Sequence, residues 1–167
     1  MMMLIVKRLL STRNREETIE TYRAVYEQFK TLPPEEIAFR SGIASFDKYS
    51  SQANGFLLAK RTPIAVSGAI HYNNLLKEFN LTGKYDAINS NVRIRWVYCE
   101  PTNKYKMSNI AFLDTIPVEF GNIKPDYEKM FKKIMEPAIE RLFECAKWKL
   151  VDFQSEYTVD LLDFLKN

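Results

Sequence analysis

The chain has few of the residues that most metal and catalytic sites need. It contains one histidine, His71, and two cysteines, Cys99 and Cys145, among 167 residues. The cysteines lack CxxC spacing and offer neither a disulfide framework nor a zinc site, so we expect two buried thiols. A lone histidine without an evident carboxylate partner gives poor support to an enzyme with His71 as general base. The sequence therefore predicts no cofactor, no metal and no catalytic residue.

Long hydrophobic runs are also missing. The longest, Met1 to Val6, is far too short to span a bilayer, and the charges of Lys7 and Arg8 follow it, whereas a signal peptide carries its charges first. We therefore expect no membrane contact and a cytoplasmic location, which is the host cytoplasm if a phage encodes the chain. The composition, 46% hydrophobic and 27% charged, is that of an ordinary globular protein.

Positive charge is concentrated in the middle of the chain. Residues 40–106 carry ten cations and four anions, an excess of +6, whereas the net charge of the whole chain is +3. A basic excess interleaved with aromatic residues such as Trp96 and Tyr98 is typical of a surface that binds a polyanion. Solvated surface lysines are the plainer explanation.

Helical periodicity occurs at both ends of the chain. Asn14 and Glu17 fit a capping box before a helix, and Pro137 is expected to start a new helical segment after the one that follows Asp126. We predict an α+β protein, with a helical base from residues 1–34 and 117–150 and an inserted mixed lobe, residues 35–116, that contains a small antiparallel sheet.

The clearest strand pattern lies in that lobe. Alternating apolar residues face one way, and Arg93 and Arg95 share the other face. The apolar residues are Val92, Ile94, Trp96 and Tyr98. We expect Ser108 to Phe112 to form a second strand that pairs back with the first.

The stretch from Lys60 to Asn73, KRTPIAVSGAIHYN, predicts a helix start with a basic flank. Thr62 followed by Pro63 fits an N-cap with proline at the first helical position. Unpaired N–H groups of a helix start beside Lys60 and Arg61 would attract a phosphate. Gly68 would let a ligand approach the backbone closely. An ordinary capped surface helix with two solvated cations is the alternative.

Several short blocks of residues follow one another at moderately specific spacing. They are Ile37-Ala38, Asp47-Lys48-Tyr49, Lys60-x-Thr62-Pro63-Ile64, Gly68 and Tyr72-Asn73, with the basic strand after them. This order resembles the thumb domain of family B DNA polymerases of the T-even bacteriophage type. The family has an arginine where this chain has Ser67. No Asp-x-Asp pair occurs in the chain, so the two-metal site of a polymerase palm is not encoded here.

The resemblance implies a non-catalytic thumb portion of a DNA-directed DNA polymerase, a nucleotidyltransferase, that grips duplex primer–template during replication and is inactive alone. Its partner would be a polypeptide with the palm, fingers and exonuclease, and the chain would be a split subunit or a trimmed domain. A free-standing nucleic-acid-binding phage protein and a structural protein of a phage particle are alternatives. The candidate DNA-binding residues are Lys48, Lys60, Arg61, Thr62, Gly68, His71, Tyr72, Asn73, Arg93, Arg95, Lys104 and Lys106.

Residues 154–167 form a candidate tail. Within it, hydrophobic residues resemble the short segment by which such polymerases insert into a pocket on a sliding clamp. These residues are Leu161, Leu162, Phe164 and Leu165. Thr158 stands where the common clamp motif has glutamine. A final amphipathic turn that packs on the domain itself is the alternative.

Overall fold

Two units make up the protein. The computed structural model describes residues 6–8, 11, 14–101, 105, 107–121 and 123–148. One unit comprises residues 32–130, and the other comprises residues 1–31 together with 131–167. Helices and a small antiparallel sheet build them, which confirms the predicted α+β class. The elements are α1 (Arg15–Lys30), α2 (Pro34–Ile37), β1 (Phe39–Gly42), α3 (Phe46–Ser50), α4 (Ile64–Glu78), β2 (Arg93–Tyr98), β3 (Asn109–Phe112), a 3-10 turn (Val118–Phe120), α5 (Tyr127–Ile134) and α6 (Glu136–Cys145).

Helix α1 begins where the sequence predicts. Asn14 is its N-cap, and the side-chain oxygen of Asn14 accepts a hydrogen bond from the Glu16 N–H at 3.0 Å. This bond satisfies one of the N–H groups that the first helical turn leaves without a partner. The ring of Phe29 is buried and meets the edge of the Phe131 ring at 5.2 Å, inside the same unit. The apolar stripe of α1 is therefore part of a core.

The sheet of residues 32–130 has three antiparallel strands in the order β1-β2-β3. The predicted pairing of β2 with the segment around Asn109–Phe112 is confirmed, with Trp96 opposite Ala111. The predicted alternation on β2 holds for Ile94 and Trp96, which are buried, and for Arg93, which is exposed. Val97 lies on the same face of the sheet as Arg95 but is fully buried, as is Ile110, with which it pairs.

Helix α4 lies directly on β3. A Cβ atom at Gly68 would come within 2.8 Å of the Ala111 backbone nitrogen and 3.0 Å of the Ile110 carbonyl carbon. A Cβ essentially never lies closer than 3.0 Å to a backbone atom, so only glycine allows the helix to approach Ala111 this closely. The space beside Gly68 belongs to β3 and not to a ligand.

The start of α4 differs from the prediction. Pro63 is the N-cap and Ile64 the first helical residue, and no side chain caps the helix. The Thr62 hydroxyl instead donates to the Ala59 carbonyl oxygen at 2.8 Å. The prediction of Thr62 as N-cap is therefore wrong by one residue. The physical reason lies at Pro63, whose ψ of 142° is extended and whose carbonyl oxygen accepts the first intrahelical hydrogen bond, from the Ser67 N–H at 2.8 Å.

Two smaller predictions have opposite outcomes. Pro137 lies in the first turn of α6, which confirms that it starts a new helical segment after α5. The prediction of two buried thiols is right for Cys99 and wrong for Cys145, which is exposed at the end of α6. Burial raises the pKa of the Cys99 thiol to about 12, so this side chain stays an uncharged part of the core.

In the part of the chain that the structure describes, no helix is both long and apolar enough to cross a membrane.

Candidate nucleic-acid interface

Three arginines share one face of the sheet. Arg40 on β1 is directly opposite Arg95 on β2, and Gly42 is opposite Arg93. Residues two apart on a strand point to the same face, and directly opposite residues have Cβ atoms about 4.5–5.5 Å apart. The register therefore gathers the side chains of Arg40, Arg93 and Arg95, which we call the arginine face.

The arginine face is accessible to solvent and has no ion-paired carboxylate among the residues described. Arg40 and Arg93 are exposed and Arg95 is half-buried. Arg95 Nη1 makes one long hydrogen bond, 3.4 Å, to the carbonyl oxygen of Asp114. Within the described ranges, no carboxylate lies in ion-pair contact with any of the three guanidinium groups. Their positive charge is thus left for an anion from outside.

Repulsion among the charges of the arginine face opposes folding when no anion is bound there. Like charges directly opposite each other on paired strands destabilise a sheet, and Arg40 and Arg95 are such a pair. The three arginines also line a shallow depression of about 450 Å³, with Gly42 at its wall. A concave surface with three forked donors and no ion-paired carboxylate among the described residues is suited to phosphate or carboxylate oxygens. An anion bound there would remove the repulsion.

The other predicted cations lie elsewhere on the same unit. The Lys48 ammonium on α3 is 5.6 Å from the centre of the Tyr49 ring. Lys60 and Arg61 are exposed in the turn before α4, and Arg61 has a φ of 68°, which is uncommon for a long side chain. Within the described chain, these three cations do not line the depression at the arginine face. The structure thus brings together Arg93 and Arg95 but not the whole predicted set.

Three predicted residues on α4 are buried. His71 is 3% exposed, and its Nδ1 lies 2.9 Å from the Asn109 carbonyl oxygen. Tyr72 is 2% exposed, and burial raises its pKa to about 12. Gly68 is buried against β3. Because none of these residues offers a surface to DNA, we withdraw all three as candidate contacts.

Asn73 has a structural task. Its side chain donates to the Ile88 carbonyl oxygen at 2.7 Å and accepts from the Ile88 N–H at 2.8 Å. Both hydrogen-bonding ends of the amide are used in this way, as they would be in a strand pair. Asn73 therefore anchors the loop after α4 and has little capacity left for a nucleic acid.

The remaining candidates lie outside the described residues. They are Lys104, Lys106, Leu161, Leu162, Phe164 and Leu165.

Arg40 is the residue that the sequence prediction missed. The alternation of Phe39 and Ser41 with Ala38 and Arg40 is visible in the sequence, and it matches the strand that forms. What the alternation does not reveal is the partner strand, because the pairing joins residues 55 positions apart, Arg40 and Arg95.

Among the described residues, no group of three or more histidine, cysteine or acidic side chains could hold a metal ion.

No protein-family model matches this chain, and no curated protein matches it.

Proposed function

We propose that this chain is a non-catalytic DNA-binding protein, the thumb-like portion of a family B DNA polymerase, and that it grips duplex primer–template through the arginine face. The observation that carries the proposal is the alignment of Arg40, Arg93 and Arg95 on one sheet face without an ion-paired carboxylate among the described residues. The order of short sequence blocks that resembles such thumbs supports the polymerase context.

The chemistry of the arginine face fits a sugar–phosphate backbone. Guanidinium groups bind phosphate oxygens through two parallel N–H donors, and such contacts position a protein on a duplex without reading its sequence. A grip that must hold any primer–template needs this kind of contact. Lys48, Lys60 and Arg61 are exposed cations of the same unit and add to the long-range attraction.

A titration of fluorescent primer–template at several salt concentrations tests the grip. With about five phosphates neutralised, affinity should fall roughly 10²- to 10³-fold between 50 and 200 mM salt. A variant with Arg40→Gln, Arg93→Gln and Arg95→Gln should bind more weakly. Its salt slope should be smaller by about 2.7, at about 0.9 for each of three lost phosphate contacts.

The matched control removes three exposed cations from other places. The variant Lys124→Gln, Lys133→Gln, Arg141→Gln has the same net charge as the arginine variant. It should keep most of the salt slope, since its cations lie outside the arginine face. An equal loss of affinity and salt slope in the two variants would show that binding depends on net charge and not on the arginine face. A salt slope near zero in the unaltered protein would refute DNA binding.

The polymerase partner requires a separate experiment. We infer a second polypeptide with the palm, fingers and exonuclease, because this chain lacks an Asp-x-Asp pair for the catalytic metals. Adding this chain to such a polypeptide should restore primer extension, and the arginine variant should restore less. Duplex binding without any restored extension would favour the alternative, a free-standing nucleic-acid-binding protein.

A sliding clamp is the third inferred partner. The resemblance assigns the contact to the tail, residues 154–167, with Leu161 and Phe164 as anchors. Removing the tail should abolish any stimulation of extension by the clamp while duplex binding stays unchanged. Stimulation that survives the removal would contradict this assignment.

A further inference from the structure

Two consecutive asparagines on α4 hold two different loops by hydrogen bonds. The side chain of Asn73 holds the loop at Ile88 by the two hydrogen bonds described above. The side chain of Asn74 donates to the Gly55 carbonyl oxygen at 2.6 Å and so holds the loop after α3. The space between the two loops therefore has walls that are anchored to one helix, as in a preformed binding site.

This space, which we call the asparagine cleft, has a volume of about 710 Å³. That is within the range of about 300–1,000 Å³ typical of small-molecule sites. Two apolar side chains of its lining reach solvent, Ala53 and Ala87, whereas Phe46, Ile70 and Leu76 are buried beneath the surface. None of the residues that line it belongs to the arginine face, so the two sites are separate.

The polar residues around the cleft have spare hydrogen-bonding capacity. Lys77 is exposed, and within the described chain it has neither an ion pair nor a hydrogen bond from its ammonium group. Asn74 Oδ1 likewise accepts no hydrogen bond from the residues described. The Asp47 carboxylate accepts only a long hydrogen bond, 3.3 Å, from the Ser90 hydroxyl. The cleft thus offers two acceptors, one cation and a small apolar surface from the side chains of Ala53 and Ala87.

We propose that the asparagine cleft binds one unpaired nucleotide, with its base on the apolar lining and its phosphate at Lys77. A nucleobase has an apolar face and a polar edge, and adenine and cytosine carry an exocyclic amine on that edge. Asp47 and Asn74 Oδ1 accept hydrogen bonds from such an amine. Thymine has no exocyclic amine and should bind less tightly.

The charges of the cleft argue against other occupants. A duplex backbone would bring several phosphates to a site with one cation and the anionic Asp47, which repels them. The surrounding residues 40–106 have a net charge of +6. This positive charge attracts a nucleic acid more strongly than it attracts a peptide with few acidic residues. The occupant that fits both facts has one phosphate and one uncharged ring.

The test is an NMR titration of the ¹⁵N-labelled full chain. The ligands are dAMP, dCMP, dTMP, deoxyribose 5-phosphate and inorganic phosphate. The side-chain amides of Asn74 and Asn89, which both line the cleft, should shift with dAMP and dCMP. Binding of dTMP should be about 2- to 10-fold weaker, the loss that one missing hydrogen bond implies. A short single-stranded deoxyadenosine oligonucleotide is compared with dAMP. Tighter binding of the oligonucleotide would identify an unpaired base in a strand as the occupant, and weaker binding would identify a free nucleotide.

Two variants and two controls complete the design. Ala87→Trp adds a large side chain at the cleft, and Lys77→Gln removes its cation; each should weaken dAMP binding, by about tenfold or more for Ala87→Trp. Thr115→Trp also introduces a tryptophan, and Lys124→Gln also removes a cation, at exposed sites outside the cleft; both should leave binding unchanged.

Three outcomes would overturn the proposal. They are the absence of any shift at Asn74 and Asn89 with every nucleotide, equal shifts with inorganic phosphate, and unchanged dAMP binding by Ala87→Trp. Each is independent of the duplex titration, because the arginine face shares no lining residue with the cleft. Failure here would leave the proposed duplex grip intact, and the reverse is also true.

Discussion

His71 Nδ1 lies 2.9 Å from the Asn109 carbonyl oxygen, which joins the middle of α4 to the first residue of β3. A carbonyl oxygen only accepts, so Nδ1 carries the proton of the neutral ring. Nε2 is then buried and makes no hydrogen bond of normal geometry in the described structure, although the Phe56 backbone is close enough to favour the protonated ring and so oppose the lowering of the His71 pKa. The hydrogen bond to β3 thus holds the imidazole in the tautomer with the proton on Nδ1, and Nε2 is the unprotonated nitrogen.

The first prediction concerns pH. Burial lowers the pKa of His71 from its model-peptide value of 6.5, so the unfolded chain binds a proton more readily than the folded protein. The contribution of neutral His71 to stability should be fully present above about pH 6.5 and decrease as the pH falls below it. Urea unfolding at several pH values between 5 and 8 measures this dependence.

His71→Gln is the matched variant for that experiment. His71 is the only histidine of the chain, so this substitution removes the only imidazole that titrates near neutral pH. The variant should be less stable at pH 8 by about 1–3 kcal/mol, the usual cost of a lost buried hydrogen bond, and should have a flatter pH profile. An identical profile in both proteins would assign the dependence to other groups.

A second prediction uses the close approach of α4 to β3. Gly68→Ala places a methyl group 2.8 Å from the Ala111 backbone nitrogen, and backbone atoms cannot move aside without shifting an element. Such overpacking costs about 1–3 kcal/mol, which exceeds the gain of about 1 kcal/mol in helix propensity. Gly83→Ala is the control, since nothing lies within 4 Å of its added Cβ. Urea unfolding should separate the two variants, and equal stability would contradict the contact.

Local patterns predicted the elements, whereas non-local contacts decided the site. The Asn14 cap and the alternation on β2 depend on neighbours in sequence, and both predictions were right in the main. His71 and Tyr72 were predicted to contact DNA, but α4 is buried on most of its circumference, and both side chains lie inside. Arg40 joined the site only through the register of β1 with β2. Burial and register depend on distant residues that no local pattern contains.

A third prediction concerns the loop that Asn73 anchors. Asn73→Ala removes both hydrogen bonds to Ile88 and should speed amide exchange at the Ile88 N–H, with a loss of about 1–3 kcal/mol in stability. Asn73→Asp keeps an acceptor for the Ile88 N–H but loses the donor to the Ile88 carbonyl oxygen, so its exchange rate should be intermediate. Equal protection in the three proteins would show that the loop is held by other contacts.

The last prediction separates stability from function at the arginine face. Arg40→Glu replaces a repulsive cross-strand pair by an attractive one, because residue 40 is directly opposite Arg95. An opposite-charge pair in this position contributes roughly 0.2–1 kcal/mol, so the variant should be slightly more stable at low salt than the unaltered protein. Binding to primer–template should nevertheless become weaker, since an anion now faces the phosphates. Arg40→Gln should fall between the two in both properties. Urea unfolding and duplex titration on the same samples measure the two effects, and a variant that loses stability and binding together would mean that Arg40 supports the fold rather than an anion site.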